Sequence, residues 1–489
     1  MRNSTRLATL GLMLLSQLAD AEATLPTAPL TLYNNAGQNA QWTGVGRLLW
    51  KNRLCIATLL DSRDATLASS GPAYVLTAGH CAGGVNGKII VNQPTTGSIA
   101  FNYFADTQDQ RRTVPVKQMV WSSMQGADLA LLELDATLDE LLAQGITPVK
   151  IGPSPTSSTA VKVVGEPSSL GQGLRLSTCT ERFHSFSSAN NWVWRNVRRN
   201  DCQGLDEGAS GSPVIDSATH RLISVVNSLH DNEVGAIPIH RVQGCFRAGQ
   251  ADLELDDCQL LPGFQLTPQG SSFKTIVKAR TLPDGSLEQP RWGFEFLIDT
   301  PRYRYKTSTD ALACEDPVGY SGTIASDAAS IDDPIGATPG MHYLCIVGVQ
   351  SPDQLASRAL MANSLSLEVE LLPPGRAKAE VTSEPLPNGD IRVNWLPAPD
   401  IVFYRVKRGP AATTDCEDLS GYRLLRTQSA VIAHASLPLK LCSVAIDVNL
   451  QSPSPAPTCS QLIAADSPLP HAAPVHASPG AAGKGATLS

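Results

Sequence analysis

Val75-Leu76-Thr77-Ala78-Gly79-His80-Cys81 is the stretch from which this 489-residue chain is best read. An apolar strand runs into small residues, then a histidine, then a cysteine. Histidine is the commonest general base, and a base must be held within hydrogen-bond reach of the proton it takes. Cys55 lies upstream, between Arg47-Leu48-Leu49 and Ile56-Ala57-Thr58-Leu59-Leu60. A Cys55–Cys81 bridge would clamp the turn carrying His80 to a neighbouring strand. Alone, the same residues also describe a core histidine beside a structural disulfide.

Two further segments change that balance. Gly208-Ala209-Ser210-Gly211-Ser212-Pro213-Val214 sets a serine between glycines. On such a turn the hydroxyl is exposed and the backbone amides are free. The amides of Gly208 and Ser210 could converge on a developing oxyanion, and a serine hydroxyl needs an adjacent base to act as a nucleophile. The plainer reading is a surface turn. Asp128-Leu129-Ala130-Leu131-Leu132-Glu133-Leu134 opens an apolar strand with an acid. Beside an imidazole, a buried Asp would orient the ring and stabilise the imidazolium. The plainer reading is an exposed strand cap. Asp106, Asp109 and Asp135 are the alternatives, and none directly precedes an apolar strand.

Together the three run in the order His80, Asp128, Ser210, with gaps of 48 and 82 residues. This arrangement resembles the trypsin-like serine peptidases over roughly residues 42–246. Gly46-Arg47-Leu48 fits a first strand and Gly235-Ala236-Ile237-Pro238-Ile239 a late one. The resemblance implies two six-stranded antiparallel β-barrels of the chymotrypsin type, with the triad in the cleft between them. His80 and Asp128 would lie on the first barrel and Ser210 on the second. It implies acyl transfer: Ser210 attacks a peptide carbonyl, His80 takes its proton, and the Gly208 and Ser210 amides hold the oxyanion. No metal or cofactor is called for. Gly-Ala-Ser-Gly-Ser-Pro resembles the bacterial glutamyl-endopeptidase branch more than the animal enzymes, yet Val226 stands where a histidine would favour that preference. By count from Ser210, Asn227-Ser228-Leu229 is the strand expected to bind the substrate main chain. Ala209 replaces the aspartate that pairs with an inserted α-amino group in animal zymogens, so that switch cannot work through residue 209. Trimming within Thr24–Gln41 is compatible with this.

Composition bounds the rest. Glycine (38) and proline (35) are plentiful, charged residues make up 17%, and the net charge is −7, which suits strands and turns and argues against nucleic acid as a partner. The short cluster Arg195, Arg198, Arg199 reads as solvated surface. Arg2 and Arg6, the apolar run Leu7–Leu18 and the small residues at 19–23 resemble a secretory signal, residues 1–23. That implies a secreted protein, extracellular or periplasmic, with no membrane segment after signal removal. Eleven cysteines in an exported chain imply disulfides. Pairing neighbours in order gives Cys55–Cys81, Cys179–Cys202, Cys245–Cys258, Cys314–Cys345 and Cys416–Cys442, with Cys459 left over. Sequence alone leaves other connectivities open.

Beyond a peptidase domain at 24–262, the chain repeats itself. Cys314-Glu315-Asp316 with Gly319-Tyr320 recurs 102 residues later as Cys416-Glu417-Asp418 with Gly421-Tyr422. Tyr303-Arg304-Tyr305-Lys306 matches Tyr404-Arg405-Val406-Lys407, Leu344-Cys345 matches Leu441-Cys442, and Trp292 and Trp395 hold similar early positions. The pattern resembles tandem fibronectin-type-III-like β-sandwiches at 263–372 and 375–452, hinged at Pro373-Pro374-Gly375, followed by a disordered tail at 453–489. Carrying no triad residue, the repeats should be dispensable for chemistry. Peptides or proteins are the expected substrates, and the repeats are candidates to bind a substrate or surface polymer. A rival reading is a silent peptidase-like protein that works by binding through them.

Overall fold

The computed structural model of the chain describes residues 26–63, 71–166, 172–189, 192–230, 233–270, 273–375, 377–451 and 457–462. The signal segment expected at 1–23 lies outside the described residues, as does most of the tail. The chain is mostly β and divides into two compact units. The first runs to Thr275 and takes in Arg291–Leu371; the second comprises Ile276–Pro290 and the chain from Leu372 onward.

In the first unit, seven strands build one sheet: β1 (Val45–Trp50), β2 (Arg53–Leu59), β3 (Pro72–Thr77), β4 (Ile89–Pro94), β5 (Ser98–Phe101), β6 (Arg112–Ser123) and β7 (Leu129–Thr137). Their order is β4-β6-β5-β1-β2-β3-β7, and pairing of β6 with β7 closes six of them into a barrel. Strand β7 is apolar at almost every position because both of its faces are covered. Ala130, Leu132 and Leu134 join the cluster that fills this barrel, while Leu129 and Leu131 join a second cluster with Val197, Ile215, Leu222 and Val225 of the following strands. That second cluster cements the two barrels back to back. A short helix, α1 (Leu138–Ala143), follows, started by a capping box between Thr137 and Glu140.

The second barrel is β8 (Thr159–Gly165), β9 (Arg175–Ala189), β10 (Trp192–Asn200), β11 (Pro213–Asp216), β12 (Leu222–His230) and β13 (Glu233–Pro238). The order is β9-β8-β11-β12-β13-β10, closed by β9 with β10. This is the chymotrypsin-like pair of barrels. The sheet does not stop there. At Trp192↔Leu367, β10 also pairs with a strand far along the chain. Strands β14 (Arg302–Ser308), β15 (Gly340–Val349) and β16 (Leu365–Leu372) continue it in the order β10-β16-β15-β14. Arg291–Leu371 is therefore built onto the second barrel, and the unit boundaries differ from the segment boundaries read in the sequence.

Two of the three arginines read as solvated surface, Arg195 and Arg198, are in fact buried, while Arg199 stays partly exposed beside Glu233. Arg195 and Arg198 are 4% and 1% exposed. Arg198 is buried because Glu181 accepts from its Nε at 3.1 Å inside the second barrel. Arg195 is buried because β16 covers it: its guanidinium donates to Ser364 Oγ (2.9 Å), Ser366 Oγ (2.8 Å), Ser364 O (3.0 Å) and Ala362 O (3.2 Å). A buried charge survives only when paired and hydrogen-bonded.

The second unit has two facing sheets. One is β17 (Val381–Pro385), β18 (Ile391–Trp395) and β20 (Ser429–Ile432); the other includes β19 (Ile401–Pro410), β21 (Leu439–Asp447) and β22 (Thr458–Leu462). Val393 and Trp395 from one meet Leu439, Leu441 and Ala445 from the other in a shared core. Strand β22 falls in the stretch expected to be disordered. Leu462 is 4% exposed in that core, which repays ordering the strand.

The residues duplicated in sequence make duplicated contacts. Tyr320 Oη donates to Cys314 O and Tyr422 Oη to Cys416 O, each at 2.8 Å. Lys306 Nζ donates to Asp316 O (2.6 Å) and Lys407 Nζ to Asp418 O (2.9 Å). Disulfides join Cys55–Cys81, Cys179–Cys202, Cys245–Cys258, Cys314–Cys345 and Cys416–Cys442, and Cys459 is a free, exposed thiol.

Candidate active site

His80 occupies a short 3-10 turn, Gly79–Ala82, directly after β3. Its ring Nδ1 lies 2.8 Å from Asp128 Oδ2, and its backbone N–H donates to Asp128 Oδ1 at 2.9 Å. One buried carboxylate thus fixes both the main chain and the ring. The approach requires glycine at 79. A Cβ there would stand 1.9 Å from Ser123 O and 2.9 Å from Asp128 Oδ1. The Cys55–Cys81 bridge ties this turn to β2, and Arg53 Nη1 donates to His80 O at 2.6 Å. Burial pulls the His80 pKa down; the hydrogen bond and charge of Asp128 outweigh it against Arg53, and the net shift is upward.

Ser210 sits on the turn that leads into β11. Ala209 N donates to Asp206 O and Ser212 N to Ala209 O, both at 3.0 Å, which folds the turn tightly. Ser210 O accepts from Ile56 N at 2.8 Å, and Ile56 follows Cys55 directly. Gly211 has φ +86°, and a Cβ there would lie 1.9 Å from Ile56 O and 2.3 Å from Thr77 Oγ1. Thr77 Oγ1 donates to the same Ile56 carbonyl at 2.7 Å. Ile56, Thr77 and the adjoining disulfide therefore anchor the histidine turn and the serine turn together. Among the described residues, the amides of Gly208 and Ser210 have no acceptor within the chain. Gly208 has φ 90°, a backbone conformation open to glycine.

Asn227, Ser228 and Leu229 lie on β12, where the pairing with β13 slips by a bulge between Val226 and Ser228. Asn227 is 8% exposed, with Nδ2 3.5 Å from Asp128 Oδ2. Ser228 Oγ donates to Asn227 Oδ1 at 3.0 Å. Leu229 is exposed. Asp106, one of the alternative acids, is engaged elsewhere: it accepts from the backbone N–H of Asn34 (2.7 Å) and Asn35 (3.0 Å) and pins the N-terminal segment.

Sequence reasoning missed the backing of the acid. Gln125, three residues before Asp128, is buried, and its Nε2 donates to Asn363 O at 2.8 Å. Trp194 Nε1 donates to Met124 O at 2.7 Å. The loop that delivers Asp128 thus rests on β10 and on the turn before β16. The signal available was Gln125-Gly126, a polar–glycine pair just ahead of an apolar strand, but it carries no address for a partner so far along the chain.

The family model described as "Trypsin-like peptidase domain" matches residues 62–225, a stretch that contains His80, Asp128 and Ser210. Among solved structures the chain is similar to a thermostable serine protease, AL20, from an extremophilic microorganism, at 16% identity over 41% of this chain and 92% of that one, TM-score 0.31. A Glu endopeptidase aligns at 14% identity over 43% of this chain and 90% of that one, TM-score 0.30. The protease Anisep from Arthrobacter nicotinovorans aligns at 17% identity over 41% and 91%, TM-score 0.29. No curated protein matches the sequence.

Proposed function

We propose that the chain is a secreted serine endopeptidase in which Ser210 is the nucleophile, His80 the general base and Asp128 the residue that orients it. The observation that carries this reading is the double grip of Asp128 on His80, through ring and backbone, beside a serine turn bonded to the same β2–β3 corner. With Asp128 accepting at Nδ1, the tautomer it favours leaves Nε2 unprotonated and able to take a proton from a hydroxyl. Ser210 then attacks the peptide carbonyl, the C–N bond breaks as His80 returns the proton to the leaving amine, and water releases the acyl group by the same route. The amides of Gly208 and Ser210, without acceptors in the chain, suit the oxyanion. Asn227–Leu229 would pair with the substrate main chain along β12.

Five disulfides support an oxidising compartment, and no helix among the described residues is long and apolar enough to cross a membrane. The catalytic unit in this reading is residues 24–262 together with 291–371, and the C-terminal sandwich is an accessory module that engages a substrate or surface polymer. The test is a fluorophosphonate probe with a Ser210→Ala control. Labelling of the wild type and none of the variant supports the assignment; equal labelling, or none of either in folded protein, rejects it.

A further inference from the structure

Behind the loop that carries Asp128 lies a second concavity, of about 450 Å³, within the first unit. Gly126 and Ala127 form one wall, and its charged lining comprises Arg195, Arg241, Arg358 and Glu315, with His240 beside them. Arg195 donates from both Nη atoms to the 362–366 segment, and its Nε, without a hydrogen-bond partner among the described residues, lies 3.2 Å from Glu315. Arg241 is less well partnered. It is 4% exposed; its Nη2 donates to Gln259 O at 3.3 Å and to Asn363 Oδ1, while its Nε and Nη1 are buried without a partner among the described residues. Its guanidinium also lies 5.8 Å from the centre of the Trp121 ring. Arg358 is exposed and makes no ion pair among the described residues, although Glu254, Asp256 and Asp257 border an adjoining groove that it shares.

Three guanidiniums thus face one carboxylate. Burial, then Arg241 and Arg358, bring the His240 pKa down to about 4, so the ring is neutral at pH 7. Burial likewise lowers that of Arg241 to about 10, leaving it charged. A buried cation with two idle donor nitrogens calls for an acceptor, and a planar guanidinium fork matches an oxyanion.

We propose that this concavity is a binding site for a small oxyanion, held between Arg241 and Arg358 with His240 as a further hydrogen-bonding group. The chemistry recognised is the tetrahedral phosphate or sulfate group or the carboxylate. The site is separate from the His80–Ser210 cleft, and binding there is independent of the peptidase reading.

The full-length protein is titrated with inorganic phosphate at pH 7.5 and constant ionic strength, sodium chloride being replaced as phosphate is added. Calorimetry and thermal unfolding are both read. Parallel arms use succinate, to separate a carboxylate source from a phosphate one. We expect one saturable site, with an unfolding midpoint that rises as the site fills. Arg358→Ala, at an exposed position, should weaken binding about tenfold or more, and Arg358→Lys should restore part of it. Arg241→Met should abolish binding. If Arg241→Met does not fold, Arg358→Ala and Arg358→Lys alone decide. A generic salting effect would instead raise the midpoint equally in every variant. That outcome, or phosphate and succinate indistinguishable from chloride by calorimetry, overturns the proposal. Saturable binding of either oxyanion that is lost in Arg358→Ala supports it, and the tighter arm identifies the source.

Discussion

Replacing Asp128 by asparagine tests the site at its narrowest point. Asp128 offers one oxygen to the His80 ring at 2.8 Å and the other to the His80 backbone N–H at 2.9 Å. Asparagine has only one acceptor for these two donors. If its oxygen stays on the backbone N–H, its NH₂ faces Nδ1, and the proton must move to Nε2, where the ring can no longer act as a base. If the amide is reversed, the backbone N–H of His80 loses its acceptor, at a cost of about 1–3 kcal/mol. The first arrangement avoids that loss and should dominate. The expected result is a fall in turnover on the order of 10⁴, or roughly 5–6 kcal/mol of barrier, in protein that unfolds much like the wild type. The pH profile adds a second sign. Asp128 is what lifts the His80 pKa against burial and Arg53. With its charge gone, the acid limb of residual activity should move to lower pH. Peptide hydrolysis measured from about pH 5 to about pH 9 reads both effects. Activity within tenfold of wild type, or an acid limb that stays in place or rises, would refute the assignment of Asp128.

Ser210→Ala should reduce turnover by on the order of 10⁴–10⁶ while leaving the unfolding midpoint close to wild type, and near-normal hydrolysis would exclude Ser210 as nucleophile. Opening the Cys55–Cys81 bridge by a double Ala substitution removes a cross-link of sequence separation 26, worth roughly 3.5 kcal/mol from chain entropy; urea unfolding should show a loss of that order. Because the folded pKa of His80 is raised above 6.5, its pairing with Asp128 stabilises the fold most below that value and less as pH climbs through the folded pKa. The stability gap between wild type and His80→Gln should therefore be wider at about pH 5 than at about pH 9, and a gap that widens with pH contradicts it. A chain ending at Pro262 strips Arg195 and Gln125 of acceptors at Ala362–Ser366 and should lose both stability and hydrolysis, whereas one ending at Gly375 should keep them; a fully active Pro262 form would show that the appended strands are idle.

Much of the candidate site is legible in the sequence because it is local. Gly79 and Gly211 mark the close approaches, His80 follows a strand, and Asp128 opens one. The strands around them are equally local, as the apolar runs at 73–76 and 129–134 announce. What the sequence hides is pairing at a distance. Arg195, Arg198 and Arg199 look like any exposed cluster because nothing nearby says that Ser364 and Ser366 will cover the first or that Glu181 will sit beneath the second. The internal repeat is visible, yet it suggests two equivalent modules, while the contacts of β16 fasten the first copy to the second barrel. Thr458–Leu462 was concealed by the Pro- and Ala-rich composition around it.

The seam between β10 and β16 also sets an order of events. The acceptors that Arg195 needs lie 167 to 171 residues later in the chain. At synthesis rates of about 5–20 residues per second, that distance takes roughly 10–30 s to produce. From Pro238 onward the second barrel has all of its own strands but keeps one wet edge and one unmatched cation until those acceptors arrive. The loop behind Asp128 shares the delay, since Gln125 waits for Asn363. A nascent or prematurely ended chain therefore holds His80, Asp128 and Ser210 in a slack frame, and the frame stiffens only when residues 362–366 arrive.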